Sequence, residues 1–272
     1  MRKIVKFLLI AVLAFTCIFS AINCGEDANT IVVSASPTPH AEILEQCKPL
    51  LAEKGYNLEI KKVSDYNVPN IALKDGSVDA NYFQHTPFLN TFNAKNDNVL
   101  VAVCKVHYEP FAIYGKNVSK DDFTAKKSGW TIKIPNDGSN LTRALFLLAQ
   151  EGFITLPSDA DPNENLTLSD IVNKNGNEIK SMEAKLVSAS LQDGDLGIIN
   201  GNYALTANIS LDTALAVESA DGDAASLYAN ILVVKKGNEN SPKILALKEV
   251  LLSETIKNFI NSTYGGAVLS VV

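Results

Sequence analysis

Arginine is the scarcest charged residue in this chain: 272 residues contain only Arg2 and Arg143. Histidine is nearly as rare, as His40, His85 and His107, and tryptophan occurs once, at Trp130. The cysteines, Cys17, Cys24, Cys47 and Cys104, make no CxxC pair and no Cys/His spacing of a zinc site. Walker loops, HExxH helices and nucleophile elbows are absent, which removes the sequence signatures of nucleotide hydrolysis, metalloproteases and α/β-hydrolases. There is no basic cluster either. The 24 basic against 30 acidic side chains give a formal charge of −6, and a nucleic-acid binder needs a concentrated positive face. With 46% hydrophobic and 20% charged residues the chain folds, and its 15 glycines and 10 prolines have no collagen-like period.

Only one long apolar run is present. Met1-Arg2-Lys3-Ile4-Val5-Lys6 is a positive segment, followed by an apolar stretch from Phe7 to Ile22. That is shorter than the ~20 residues of a spanning helix and fits a signal-peptide core. Cys24 at its end resembles the acylated cysteine of bacterial lipoproteins, although Ala21-Ile22-Asn23 departs from the usual preceding residues. Lipidation at Cys24 is favoured over simple cleavage, and over Cys17, whose use would truncate the apolar core. Residues 1–23 are then a signal peptide, 24–29 a lipid-anchored linker, and the rest an extracytoplasmic body tethered to the cell membrane by lipid alone. Cys47 and Cys104 read as buried small hydrophobes, with a disulfide between them left open.

From Thr30 onward strand-like and helix-like segments alternate. Ile31–Val33, Leu58–Val63, Val78–Phe83 and Val99–Val103 read as strands, with helices over Pro39–Glu53, Val68–Lys74 and from Thr86, whose hydroxyl would cap the helix. The rhythm restarts with a strand over Trp130–Pro135 and a helix over Ser139–Glu151. A strand at Leu196–Ile199, a helix near Asn202, a strand at Ile231–Val234 and helical stripes to Tyr264 follow. This order predicts parallel sheets covered by helices. Leu73-Lys74-Asp75-Gly76-Ser77-Val78 and Leu191-Gln192-Asp193-Gly194-Asp195-Leu196 rhyme, each a helix end, a tight turn and a strand, and suggest two related lobes. Residues 30–110 and 228–272 would form the first α/β lobe and 111–227 the second, with a ligand cleft between them.

Arg143 is the sharpest candidate for chemistry. Lysine serves every other basic position after the leader, but lysine cannot supply a planar fork for a carboxylate. Pro135-Asn136-Asp137-Gly138-Ser139-Asn140-Leu141-Thr142-Arg143 places it in the first turns of a helix, where a cation opposes the helix dipole by roughly 0.3–1 kcal/mol. An anion held by Arg143 and the free N–H groups would remove that conflict. Asn140 projects from nearly the same face. Asn81-Tyr82-Phe83-Gln84-His85-Thr86-Pro87-Phe88 could form an apolar slot, although by itself it reads first as a core junction with His85 hydrogen-bonded inside. Asn200-Gly201-Asn202-Tyr203 repeats that location in the second lobe.

These segments, with Asp65-Tyr66, Pro69-Asn70 and Ile199-Asn200-Gly201-Asn202-Tyr203-Ala204, stand in one order and resemble the NlpA lipoprotein family, methionine-binding lipoproteins of ABC importers. The similarity runs from about Thr30 to Gly266. It implies a two-lobed periplasmic-binding fold of the type II kind closing over one small amino acid, and as partners a permease with its ATPase. By position, Arg143 would clamp the ligand carboxylate with help from Asn140. Asn200, Asn202 and Asn230 would meet its polar groups, and Tyr66, Phe83, His85 and Phe88 would enclose a thioether. Relatives often carry tyrosine in place of Phe88, so one hydroxyl contact would be missing here. No cofactor, metal or nucleic acid is implied. An enzyme is the main competitor, but no nucleophile has an adjacent base, and Asp75 and Asp79 read as turn and sheet residues. A metal-binding lipoprotein using His40, His85 or His107 with carboxylates is a second alternative, but the spacings match no ligand signature and Arg143 near the site would repel a cation. A surface antigen or adhesin is a third, and need not exclude transport.

Overall fold

The computed structural model describes residues 28–219 and 223–272, so Cys24 and the apolar leader lie outside the described residues. Strand β1 (Thr30–Ala35) and helix α1 (Glu42–Glu53) lead to β2 (Asn57–Lys62), α2 (Val68–Asp75), β3 (Ala80–His85), α3 (Thr86–Asn93) and β4 (Leu100–Tyr108). The chain then enters β5 (Ala112–Gly115), α4 (Lys120–Ala125), β6 (Thr131–Pro135), α5 (Gly138–Gln150), β7 (Glu178–Met182), α6 (Val187–Ser190), β8 (Leu196–Ile199), α7 (Gly201–Thr206) and β9 (Ala216–Val217). Helix α8 (Asp223–Leu227), β10 (Asn230–Lys235), α9 (Pro242–Leu251), α10 (Glu254–Thr263) and β11 (Leu269–Ser270) complete it.

The strands form two sheets, ordered β11-β4-β10-β3-β1-β2 and β7-β6-β8-β5-β9. The predicted parallel pairing holds where helices intervene, for β1 with β2 and β3 and for β6 with β7 and β8. Two strands correct it: β10 runs antiparallel to β3 and β4, and β5 antiparallel to β8 and β9. Both strands follow a crossing from one sheet to the other, at 109–111 and 218–229, and so enter from the opposite direction.

Each sheet has its own core. Ile31, Val33, Leu44, Leu232 and Leu247 belong to one buried cluster, and Ile132, Ile134, Leu145, Leu148 and Ile198 to another. Burying one such side chain contributes roughly 1.5–3 kcal/mol, so each cluster can hold its lobe rigid while the crossings between them stay thin. Among the described residues no helix is long and apolar enough to cross a membrane.

Several local expectations shift. Strand β3 starts two residues later than predicted, because Gly76, at φ +88°, ends α2 in a left-handed turn, and Asp79 is spent on β1. The Asp79 carboxylate accepts the Val32 N–H at 2.8 Å and pairs with Lys243 at 2.6 Å. The cap of α3 is His85, not Thr86: its ring Nδ1 accepts the Phe88 N–H at 3.3 Å, leaving Thr86 and Pro87 in the first turn. Strand β4 is buried mainly at its ends, since β11 pairs only with His107 and Tyr108 and leaves its first half at an edge. Cys47 is buried and Cys104 half-buried, and both are free thiols rather than a disulfide.

Leu145→Ala, in the second core, is expected to lower unfolding stability by about 2–5 kcal/mol in urea titration, since it leaves a cavity against sheet strands. A loss below about 1 kcal/mol would contradict that packing.

Candidate ligand-binding site

The ends of β3, β8 and β10, the first turns of α5 and the β4–β5 crossing converge on a small cavity. All of the residues singled out by sequence border it: Tyr66, Phe83, His85 and Phe88 on one wall, Asn140 and Arg143 from α5, Asn200 and Asn202 at the β8–α7 junction, and Asn230 opening β10. Gln84, Glu109 and Gly201 complete the lining. The aromatic wall is edge-packed: Phe83 and Phe88 have ring centroids 5.6 Å apart, and Tyr66 lies 5.9 and 5.8 Å from them. Such pairs supply a rigid apolar face.

The polar side is tied together by amides. Asn140 Nδ2 donates to Asp137 at 2.8 Å, and its carbonyl oxygen accepts from Asn200 Nδ2 at 3.0 Å and from the His85 ring at 3.1 Å. His85 Nδ1 already accepts from Phe88, so the ring proton sits on Nε2, toward Asn140. His85 is therefore neutral, and burial followed by the nearby Arg143 charge pushes its pKa down to about 3. Tyr66 donates its hydroxyl proton to Asn202. Asn200 Oδ1 is buried with no hydrogen-bond partner.

Arg143 is buried, with 4% of its surface exposed. The dipole conflict foreseen from its position is met inside the protein. Its Nε donates to both Glu218 oxygens at 3.0 Å, and Nη2 reaches Glu218 as well as the Glu109 backbone carbonyl at 2.9 Å. The Tyr228 and Phe111 rings lie 4.3 and 4.7 Å from the guanidinium carbon. Nor are the first N–H groups of α5 all open to a ligand, because Asp137 accepts the Asn140 N–H at 3.1 Å. Burial alone would raise the Glu218 carboxyl, but Arg143 and the Tyr108 hydroxyl hold it below the usual range. Glu218 borders a groove on the far side of Arg143 and not the cavity itself. It braces the guanidinium from behind.

Sequence reasoning missed Glu218 and Glu109. Glu218 is 75 positions from Arg143, and no periodicity links them. The available signal was the requirement that a buried guanidinium have a carboxylate partner.

Glu109 belongs to the grouping His40, His107 and Glu109, whose ligating atoms lie within 4.8 Å of one another. Tyr82 donates its hydroxyl proton to His107 Nδ1, so His107 Nε2–H donates to Glu109 at 2.8 Å. His40 Nε2 lies 2.9 Å from the Asn230 side-chain Oδ1 and 3.5 Å from Glu109. A metal could take these positions only if both rings gave up the protons they direct at oxygen. His85 lies outside the grouping. Burial lowers His40 to about 4 and His107 to about 3, and raises Glu109 above the usual carboxyl range.

Two α/β sheets with separate cores, joined by crossings and meeting over a polar-aromatic cavity, define a two-lobed substrate-binding protein of the periplasmic-binding kind. Residues 31–272 match the NlpA lipoprotein family, and the chain belongs to that family. It is 41% identical to the methionine-binding lipoprotein MetQ of Bacillus subtilis over 280 aligned positions, covering 100% of this chain and 99% of that protein. A solved lipoprotein from Ruminococcus gnavus superposes with a TM-score of 0.84 at 44% identity, covering 90% of this chain and 100% of that one. A nutrient-binding protein from Burkholderia cenocepacia, solved bound to methionine, superposes with a TM-score of 0.81 at 29% identity, over 89% and 100% of the two chains.

The three histidines carry a pH signature. Their folded pKa values lie below the ordinary 6.5, so the unfolded chain binds more protons and stability present above pH 6.5 is lost as pH falls toward 4. Glu109, raised in the fold, offsets part of this. The urea midpoint is expected to fall between pH 6.5 and pH 5, by roughly 1.4 kcal/mol per pH unit at most for each uncompensated histidine. A midpoint that is flat or rises over that interval would contradict neutral buried rings.

Proposed function

We propose that this chain captures methionine, or a close relative such as a short methionine-containing peptide, and delivers it to an ABC permease driven by a separate ATPase. It would be held outside the cytoplasmic membrane by lipid on Cys24, with capture rather than catalysis as its task. The observation that carries this reading is the convergence of a buried guanidinium and an aromatic wall on one cavity, with elements of both sheets contributing. The names of the MetQ relative and the methionine-bound neighbour support it.

In this reading residues 30–110 and 228–272 form one lobe and 111–227 the other, and the cleft closes on ligand. Arg143 meets the carboxylate with Asn140 beside it. Asn200, Asn202 and Asn230 serve the remaining polar groups. The side chain lies against Tyr66, Phe83, His85 and Phe88, where a polarisable thioether suits ring edges and its burial adds roughly 1.5–3 kcal/mol. Glu218 fixes the guanidinium before ligand arrives, so little ordering cost remains on binding.

Native mass spectrometry of the purified protein is expected to show an adduct of methionine mass. In calorimetry Arg143→Ala should weaken methionine binding by about 2–5 kcal/mol. Affinity unchanged by that substitution would overturn the assignment of Arg143.

A further inference from the structure

We propose that Glu109 is the anchor for the ligand's ammonium group, which makes the cavity selective for a free α-amino acid over the same acid without its amine. The inference deepens the methionine reading of the same site and rests on it.

Glu109 lies in the 109–111 crossing and contributes twice. Its backbone carbonyl accepts from Arg143 Nη2 at 2.9 Å, while the residue also lines the cavity. One residue therefore holds the guanidinium through its backbone and brings a carboxyl side chain to the same cavity. An α-amino acid carries its two opposite charges on two groups attached to one carbon, which a guanidinium and a carboxyl group at one cavity can answer together.

The Arg143 charge acts on that carboxylate from a distance but does not pair with it. Arg143 is engaged by Glu218 in a bidentate pair. Among the described residues the ion-pair partners of Glu109 are His40 and His107 alone, and both rings are neutral in this environment. A buried carboxylate held by neutral donors gains most from an incoming cation, because Coulomb attraction is poorly screened there. A second acceptor faces the same cavity. Asn200 Oδ1 is buried without a hydrogen-bond partner, and Asn200 as a whole is 7% exposed. An ammonium N–H would satisfy it.

The surroundings fix where the carboxylate stands. His107 holds one oxygen at 2.8 Å and is itself oriented by the Tyr82 hydroxyl. The Asn202 backbone N–H also donates to Glu109. Gly201 is required by this packing, since a Cβ there would come within 2.7 Å of a Glu109 carboxylate oxygen and 2.8 Å of its Cβ. Glycine in Asn200-Gly201-Asn202 thus makes room for the anchor.

Calorimetry on the full chain, stripped of ligand, compares methionine with 4-(methylthio)butanoate, which keeps the side chain and carboxylate and lacks the amine. Wild-type protein is expected to prefer methionine by about 100-fold or more. Glu109→Gln should narrow that preference to within about 3-fold, by weakening methionine and not by weakening the amine-free acid. Gly201→Ala, which displaces the carboxylate without removing it, should shift the ratio the same way and decides the matter if Glu109→Gln shows no cooperative thermal unfolding. Wild-type binding of both compounds within about 3-fold, or equal weakening of both by the variants, would overturn the ammonium assignment while leaving the methionine reading standing. Failure of wild-type protein to bind either compound would overturn both.

Discussion

A guanidinium cannot be buried alone. Arg143 has lost nearly all contact with solvent, and the energetic cost of that burial would be several kcal/mol without compensation. Glu218 answers its charge from one side, the Glu109 carbonyl accepts another proton, and the Tyr228 and Phe111 rings lie close enough for cation–π attraction. Much else follows from that arrangement. Because the counter-ion stands behind the guanidinium, the side facing the cavity keeps its direction with no ligand bound. Because Glu218 lies at the end of β9 and Arg143 on α5, the pair also stitches the second sheet's last strand to its main helix.

Separate cores for the two sheets give the molecule its division of labour. The clusters around Ile31 and Leu247 and around Ile132 and Leu148 fix each sheet internally. The residues that border the cavity sit at strand ends or in the turns leaving them, where backbone direction changes and side chains gather from separate elements. A histidine held neutral at such a junction is useful in two ways. His85 both caps α3 and donates to Asn140, so one ring couples the helix start of one sheet to the asparagine network of the other.

Much of this was legible in the sequence. The alternation of apolar runs and helical stripes located β1 to β4, β6, β8, β10 and the longer helices, because buried strands and amphipathic helices are local patterns, but not the short elements of the second sheet such as β7 and β9. The rarity of arginine drew attention to Arg143, and family-like segments in order pointed to the amides and aromatics that border the cavity. What was not legible depends on distance along the chain. The antiparallel entry of β10 is set by a crossing and leaves no periodic mark. Glu218 is one of many acidic residues, and Glu109 one polar residue beside Pro110; neither shows its partner until the fold brings Arg143 or His107 to it. The shift of the α3 cap from Thr86 to His85 is of the same kind. A hydroxyl was the expected cap by type, but strand β3 carries the ring into place instead.

Ligand capture depends on the Arg143 guanidinium meeting the carboxylate of a guest. The direct measurement is calorimetric competition between L-methionine and L-methioninol, which retains the amine and thioether and replaces the carboxylate by an alcohol. The account predicts that methioninol binds at least about 100-fold more weakly, since a charge-assisted pair worth a few kcal/mol is removed. Equal affinity for the two would contradict it.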